Sequence, residues 1–393
     1  MRRFFRTAFE EWKLIWLDKA SMLLLVVAVI LYSFYYPVPY MNQTVSKVPA
    51  GVVDLDQSAK SRELVRMASA TQAVEVAQVF TDLESAKVAM AKGEIYGFML
   101  IPKDMERNLS RGENVTVGIY THGAYVMLHS AIGTAFATCV ATMNAPIKVK
   151  RFVAQRGMSL AEAKSARDPI PLRLNAMFNG VGGYANYIVP TVLVLILQQT
   201  IIIGVCTLGG PRKNRKYLKQ FARPDIEGAP FLTRYFGRSL GLFLHEALML
   251  SMVHFVVYAT FGFPQRLGSY AALASFGACF LATEIAFGMF LSLLFARRES
   301  PMQLFLFSSI PFLFLSGFSW PRASMPQALE LVSNLVPSTF AIPAWLSLEQ
   351  MGASLPELLP CLQNLLLQAL AYFLLGCALG SWLERNERHE GDY

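Results

Sequence analysis

The chain has 393 residues, of which 54% are hydrophobic and 16% are charged, and its formal net charge is +8 at pH 7. An ordinary soluble domain has roughly 45–50% apolar and about 25% charged residues, so this composition excludes a chain that is soluble throughout. The apolar residues cluster in windows that approach the thickness of a bilayer, whereas one long stretch has the composition of a soluble domain.

Residues 2–17 place aromatic and apolar side chains at helical spacing, with charged residues between them. This pattern predicts an amphipathic helix that lies in the membrane interface and ends at Asp18. The alternative is that the helix simply continues into the first membrane span. Asp18 and Lys19 would then lie in the hydrocarbon core, at a cost of about 3 kcal/mol each at its centre.

Apolar windows at six places predict transmembrane helices. They cover residues 22–37, 187–208, 237–261, 269–295, 302–318 and 361–383. The first window is short enough to resemble a signal peptide, but it ends in tyrosines and has no small-residue cleavage site. Apart from Cys139, the cysteines lie in these windows, so no disulfide framework is expected.

Residues 38–185 separate the first two windows and predict a compact α/β domain. The β-rich runs cover 48–54, 74–79, 95–102 and 115–120. Helical patterns with suitable start and stop signals lie between them, and alternating strands and helices favour a mixed sheet. Helical periodicity then resumes up to residue 166 and predicts a stalk that returns the chain to the membrane.

Lysine and arginine are concentrated in segments 1–21, 210–238, 296–301 and 384–393, whereas 262–268 and 320–360 contain just Arg266 and Arg322. Short basic segments stay in the cytoplasm, so both termini are predicted to be cytoplasmic and 38–185 extracytoplasmic. The positive charge is therefore interpreted as a topological signal, and no nucleic-acid partner is expected.

The predicted organisation follows from these segments. It comprises a cytoplasmic interfacial helix (1–21), a first transmembrane helix (22–37), an extracytoplasmic α/β domain with a helical stalk (38–185), five transmembrane helices (186–383) and a cytoplasmic tail (384–393). Two segments interrupt the five helices: a cytoplasmic coupling loop at 210–236 and a proline-rich outer re-entrant segment at 320–360.

Polar side chains occur within the predicted spans, and an ionisable residue in lipid is by default a functional candidate. These intramembrane polar residues are His245, Glu246, His254, Glu284, Gln198 and Gln199. The structural alternative is a protonated or hydrogen-bonded group that holds helices together. The spacing of His245, Glu246 and the next histidine does not match a zinc motif, so no metal site is expected.

The segment 316–321 reads Ser-Gly-Phe-Ser-Trp-Pro, and Met325-Pro326 and the run Leu-Val-Pro-Ser-Thr at 335–339 follow it. Residues 52–58, and Asn179 followed by the run 187–190, accompany it in the expected order. Together with the order of elements, these motifs resemble the permease subunits of the type-2 ABC transporter family. The resemblance is to the subgroup with a large extracytoplasmic domain between the first two spans, as in bacterial multidrug-type exporters.

The resemblance implies an exporter in the bacterial inner membrane. Its substrate would be hydrophobic or amphipathic, such as a drug-like molecule, a lipid or a glycan. The implied partners are cytoplasmic ABC ATPase subunits, a second permease copy or homologue forming a dimer, membrane lipids and a periplasmic adaptor. Because the chain lacks a G-x-x-x-x-G-K-[ST] phosphate loop, it is not expected to be an enzyme or to hold a cofactor; ATP and magnesium are expected on the partner ATPase.

Two functional segments follow from the same comparison. The coupling loop departs from the usual family pattern, which contains an acidic residue, a Gly-Thr pair and a Thr-Pro or similar turn; here residues 209–217 read Gly-Gly-Pro-Arg-Lys-Asn-Arg-Lys-Tyr. The alternative interpretation is that its charges only enforce topology. The residues predicted to dock the ATPase are Arg212, Lys216, Tyr217, Phe221 and Arg223. The residues predicted to form an outer gate are Trp320, Pro321, Met325, Pro326 and Pro337.

Two other function classes remain open at the level of sequence. The first is a proton-coupled transporter that uses the intramembrane Glu and His side chains, and the second is a membrane-anchored scaffold. Gradient-driven carriers often have two equivalent halves, which this sequence does not show. A scaffold would not need a proline-interrupted apolar segment, so the ATP-driven permease is favoured.

Overall fold

The computed structural model describes residues 2–170, 177–180, 182–209, 230–266, 268–295 and 300–390. The chain divides into two compact units. Residues 42–175 are called the inserted domain here, and residues 1–41 together with 176–393 are called the membrane unit.

The inserted domain contains a four-stranded mixed sheet in the order β2-β1-β3-β4. The strands are β1 (Val48–Asp54), β2 (Val74–Phe80), β3 (Gly97–Ile101) and β4 (Gly118–Thr121). β1 pairs in parallel with both β2 and β3, whereas β3 pairs antiparallel with β4. Parallel neighbours need crossover connections, and helices supply them.

Helices cover both faces of this sheet. Their bounds in the inserted domain are Ala59–Ser69 for α4, Leu83–Ala91 for α5, Met105–Ser110 for α6, Val126–Arg156 for α7 and Leu160–Arg167 for α8. α4 and α7 pack on one face, where Leu64, Ile132 and Phe136 share a core with β1 and β3. α5 packs on the other face, against Phe80 and Phe98.

The membrane unit begins with α1 (Arg2–Leu17). The buried face of α1 consists of Thr7, Ala8, Glu11 and Ile15. Four of its aromatic side chains are exposed, namely Phe5, Phe9, Trp12 and Trp16. Asp18 separates α1 from α2 (Lys19–Met22), because its side chain accepts hydrogen bonds from the first amides of the new helix, at 3.1 Å and 2.9 Å.

Apolar helices form the remainder of the membrane unit. After α2 come a π-helical segment (Leu23–Ala28), α3 (Val29–Tyr35) and a 3₁₀ turn (Val38–Tyr40). They are followed by α9 (Tyr184–Gly209), α10 (Phe231–Met252), a second π-helical segment (Val253–Val257), α11 (Tyr258–Phe261), α12 (Tyr270–Ser292) and α13 (Ser300–Leu315).

A bent segment, defined here as residues 320–352, follows α13. It contains a 3₁₀ turn (Arg322–Ser324), α14 (Gln327–Ser333), α15 (Ser338–Leu346) and a third π-helical segment (Ser347–Met351). The two helical parts meet at an angle of 80°. The last element described is α16 (Leu355–Glu390).

By length and composition, six helices among the described residues could cross a membrane, or seven if the bent pair counts as one span. One of the six is α7, whose Ile132, Phe136 and Cys139 are buried in the core of the inserted domain. The predicted fifth window corresponds to α13, which has 16 residues and is therefore about 24 Å long, shorter than a ~30 Å hydrocarbon core.

α9 is the most enclosed of the apolar helices, since 78% of its most apolar window is buried, against 33% for the first span and 28% for α16. Its Leu193, Ile201 and Val205 lie in the main core of the membrane unit, together with side chains of α10, α12 and α15. The prediction of an α-helical membrane protein with a small sheet in an inserted domain is confirmed.

Candidate functional site in the membrane unit

Three π-helical segments occur among the described residues of the membrane unit, and each one takes part in a buried polar contact. The first contains Leu25, the second His254 and the third Glu349. A π-helical turn interrupts the regular pattern of backbone hydrogen bonds and is often found at functional sites. These three segments therefore contribute three of the buried polar positions of the unit, namely the Leu25 carbonyl, His254 and Glu349.

His254 and Glu349 form a buried pair between the bent segment and the third predicted span. This third span is defined here as α10, the second π-helical segment and α11, residues Phe231–Phe261. His254 Nδ1 lies 2.7 Å from Glu349 Oε1, and the two side chains are 2% and 0% exposed. The backbone around the pair is also held: the Arg266 amide donates to the Glu349 carbonyl at 2.8 Å. A carboxylate in such a site needs a partner of this kind, because an isolated buried charge is very costly.

Aromatic side chains pack around this almost completely buried pair. Trp345 Nε1 donates a hydrogen bond to the Tyr258 hydroxyl at 2.7 Å. The ring of Trp345 also lies 5.2 Å from that of Phe276 and 6.0 Å from that of His254. The four rings come from four different elements, so they join the third span, α12 and α15 at one point.

The bent segment is tied to α9 through two glutamine side chains. Gln198, one of the predicted intramembrane residues, accepts a hydrogen bond from the Ser338 amide at 2.8 Å through its Oε1. This bond satisfies an amide at the start of α15. Gln350 donates from its side chain to the carbonyl of Asn186.

A second set of polar contacts ties the bent segment to α16. Gln368 Nε2 donates to the Asn334 carbonyl at 2.6 Å, and the Tyr372 hydroxyl donates to the Leu335 carbonyl. Asn334 and Leu335 lie in the turn between α14 and α15, where the backbone is not helical. Polar side chains of α16 thus satisfy backbone groups at the bend.

His245 makes a separate contact with the first span. Its Nε2 lies 3.2 Å from the carbonyl oxygen of Leu25, inside the first π-helical segment. The ring also packs edge-on against Trp16 of α1, with 5.7 Å between the centroids. His245 therefore joins α1, the first span and α10, and it does not meet His254.

Glu246 and Glu284 are fully buried, each with 0% exposure. Within the part of the chain that the structure describes, neither carboxyl has a hydrogen-bond partner, so the two are not hydrogen-bonded to each other. The side-chain amide of Gln199 is likewise buried without a partner there. These three groups are candidates for a proton or ligand function, or for neutral structural groups.

The predicted outer-gate residues lie in the bent segment between residues 320 and 337, next to its short helices. Pro321, Pro326 and Pro337 immediately precede the 3₁₀ turn, α14 and α15, respectively. Proline is well suited to these positions, because a backbone N–H at the start of a helix has no intrahelical acceptor and its absence therefore costs no hydrogen bond. Trp320, which is 58% exposed, donates from Nε1 to the Ser324 carbonyl at 3.1 Å, and Met325 lies between the turn and α14.

The predicted ATPase-docking residues Arg212, Lys216, Tyr217, Phe221 and Arg223 lie outside the described residues. The helix that follows the coupling loop, α10, packs against α1, and this contact lies among the described residues. A Cβ atom at Gly241 of α10 would lie 2.3 Å from the Ala8 carbonyl oxygen, and one at Gly237 would lie 2.8 Å from Thr7 Cβ. Glycine at both positions lets the two helices approach closely, as small residues do in membrane proteins.

Sequence reasoning missed Glu349 as a member of this site. The residue lies in the segment that was predicted to be re-entrant, and its nearest histidine partner is far away along the chain. The available signal was an acidic residue in a largely apolar stretch, since Glu349 follows Trp345, Leu346 and Leu348. Gln350, Gln368 and Tyr372 were missed for the same reason.

The fold and the buried polar contacts together define a multi-pass α-helical membrane protein. The model of the ABC-2 family transporter protein matches residues 19–378, and the chain therefore belongs to this family. A search of curated proteins found no match. The family is that of the type-2 ABC permeases, so the chain is a membrane subunit of an ABC transporter that works with an ABC ATPase subunit.

Proposed function

We propose that the chain is the permease of an ATP-driven exporter in a bacterial inner membrane. It moves a hydrophobic or amphipathic substrate, such as a drug-like molecule, a lipid or a glycan, outward across this membrane. Both termini are cytoplasmic, and the inserted domain is extracytoplasmic. A second copy or a homologue completes the membrane part, and ATP with magnesium is bound by the partner ATPase; a periplasmic adaptor and membrane lipids are further partners.

The observation that carries the ATP-driven assignment is the family match over residues 19–378. The observation that supports a gate is the set of buried polar contacts on the bent segment. α9, the third span and α16 each hold it, through Gln198, His254 and Gln368, respectively. A segment held at several points in this way has few intermediate positions, because the contacts must break together. In the proposal, the bent segment closes the outer end of the substrate path, and the predicted gate residues support its turns.

The energy reaches this segment from the cytoplasmic side. In the proposal, the coupling loop at 210–236 and the interfacial helix α1 seat on the ATPase. α1 packs tightly on α10 at Gly237 and Gly241, and α10 continues into the π-helical segment that carries His254. In the proposal, a movement of α1 is passed along the third span to the His254–Glu349 pair.

The test uses the chain together with its partner ATPase in inside-out vesicles that take up a fluorescent amphiphile when ATP is added. Uptake should require ATP hydrolysis, and it should stop when the catalytic carboxylate of the ATPase is replaced by an amide. Addition of a protonophore should leave it unchanged. Uptake that survives the inactive ATPase but collapses with the protonophore would contradict the proposal.

A proton-coupled mechanism is the second candidate, and the buried carboxyls of Glu246 and Glu284 favour it. Both are ionisable groups buried in membrane-spanning helices without hydrogen-bond partners among the described residues, and such groups are functional candidates. The family assignment favours the ATP-driven mechanism instead. The protonophore and the amide variants of these two residues distinguish the candidates.

A further inference from the structure

The inserted domain contains a cleft between α4, α6 and α7, with a volume of about 550 Å³. This lies within the ~300–1,000 Å³ range of cavities that bind drug-sized ligands. Its apolar lining includes Met67 of α4, Leu109 of α6, and Met143 and Ile147 of α7. All residues that line the cleft belong to the inserted domain, and none of them belongs to the candidate site described above.

Charged side chains of both signs line the cleft, but the negative ones are already engaged. Lys60 Nζ lies 2.6 Å from Glu63 Oε2, and the two groups form an ion pair whose charges offset each other. This hydrogen bond is the main reason that the pKa of Glu63 lies below its usual value, and the nearby Lys150 lowers it further. Glu106 Oε2 accepts a hydrogen bond from the Ala59 amide at 3.1 Å, at the start of α4.

The other three charged side chains of the lining are basic: Arg111, Lys150 and Arg151. Among the residues that the structure describes, none of the three forms an ion pair. Arg151 Nη2 donates to the Glu113 carbonyl at 2.9 Å, but its Nε atom is buried and has no partner there. The cleft therefore combines an apolar wall with an excess of positive charge.

We propose that this cleft binds a single-chain amphiphile with an acidic headgroup. The apolar side chains contact the tail, and Arg111, Lys150 and Arg151 pair with the headgroup. Charge-assisted hydrogen bonds of this type are the stronger ones in proteins, and a guanidinium can engage a carboxylate or phosphate through two nitrogen atoms. The proposal concerns binding alone, so it does not rest on the direction or energy source of transport.

The test uses the full chain in phosphatidylcholine nanodiscs and a fatty acid that carries a photoreactive diazirine in its tail. The matched fatty alcohol has the same tail and no charge. After illumination, mass spectrometry compares adducts on cleft peptides with adducts on the membrane-spanning helices, which report simple partitioning into lipid. The acid is expected to label the cleft at least about fivefold more than the alcohol, relative to this internal reference.

The variant Arg111→Ala/Lys150→Ala should lower the relative labelling of the cleft about fivefold, as expected when exposed charge contacts are removed. The matched control is Arg107→Ala/Lys148→Ala, which removes the same charges from α6 and α7 at positions that do not line the cleft. This control should keep normal labelling. Excess acetate, an acid without a tail, should leave the labelling unchanged.

Each arm has an outcome that would overturn the proposal. Equal labelling by the acid and the alcohol would mean that the basic residues select nothing. An equal loss in the two double variants would show a general effect of surface charge, and displacement by acetate would show that the tail is not recognised. Absence of cleft adducts from a folded protein, as judged by its thermal unfolding, would equally refute binding.

Discussion

Glu349 and His254 lie in two different π-helical segments, and both side chains are almost completely buried. Glu349 Oε1 lies 2.7 Å from His254 Nδ1. Such a pair is not necessarily a large net source of stability, because both groups lose their hydration. Removing one member is nevertheless costly, since it leaves the other without its partner. The pair is therefore best examined by removing each side chain and both together.

We expect Glu349→Ala and His254→Ala each to lower the free energy of unfolding by about 3 kcal/mol, the cost typical of breaking a buried pair. The double variant should lose clearly less than the sum, because neither partner is then left alone. Thermal or denaturant unfolding of the purified protein measures these differences. Strictly additive losses would mean that the two side chains are not coupled.

The second prediction at this scale concerns Glu246 and Glu284. Both are fully buried and lack partners among the described residues, so a neutral carboxylic acid is favoured over a carboxylate at each position. Glutamine has nearly the same shape and is also neutral. We expect Glu246→Gln and Glu284→Gln to fold normally and to retain most ATP-driven transport in the vesicle assay.

The matched control combines the unchanged permease with the inactive ATPase in the same vesicle assay. Transport should then be abolished. If either amide variant folds normally but loses transport, while the inactive ATPase has no effect, the carboxyl is a proton carrier. That result would favour the second candidate mechanism over the first.

At the scale of elements, the close approach of α1 to α10 depends on the two glycines of α10 that face α1, Gly237 and Gly241. A methyl group at Gly241 would lie 2.3 Å from the Ala8 carbonyl oxygen, which is backbone and cannot move aside independently. We expect Gly241→Ala to lower the free energy of unfolding by roughly 1–3 kcal/mol, the usual cost of overpacking. Limited proteolysis should also cleave α1 faster.

Gly133 provides the control for this substitution. It lies within α7, and a methyl group there would have no neighbour within 4 Å. Alanine is more favourable than glycine within a helix by about 0.5–1 kcal/mol, so Gly133→Ala should be neutral or stabilising. If both alanine variants behave alike, the packing of α1 on α10 does not depend on Gly241.

At the scale of the whole molecule, the distribution of basic residues predicts which segments face the cytoplasm. Reporter fusions after Gly112 and Gly268 should be extracytoplasmic, and fusions after Asn214, Arg298 and Glu390 should be cytoplasmic. Asn214 and Arg298 lie outside the described residues. Alkaline phosphatase and fluorescent-protein fusions measure the two locations, and a cytoplasmic reporter at Gly112 would refute the proposed topology.

The fold class could be predicted from the sequence because bilayer and water impose different patterns. Apolar windows mark the membrane unit, and β-rich runs at 48–54 and 74–79 correspond to β1 and β2. Hydropathy alone does not separate the environments completely. α7 is apolar enough to cross a membrane, yet its Ile132, Phe136 and Cys139 pack in a core that is shared with β1 and β3.

The site was predictable only in part, for a related physical reason. His254 stood out because an ionisable side chain in an apolar window is expensive, and so did Glu246, Glu284 and Gln198. Local spacing cannot show which distant group satisfies each of them. The pairing of His254 with Glu349 and of Gln198 with Ser338 joins positions far apart in the chain.

The sequence by itself determined the membrane class, the inserted α/β domain and the resemblance to type-2 ABC permeases, since these depend on composition, periodicity and local motifs. Only the tertiary structure decided which polar groups meet, because that depends on how the spans pack and on where π-helical segments shift the side chains. For the same reason, Glu349 acquired a partner, whereas Glu246 and Glu284 have none among the described residues.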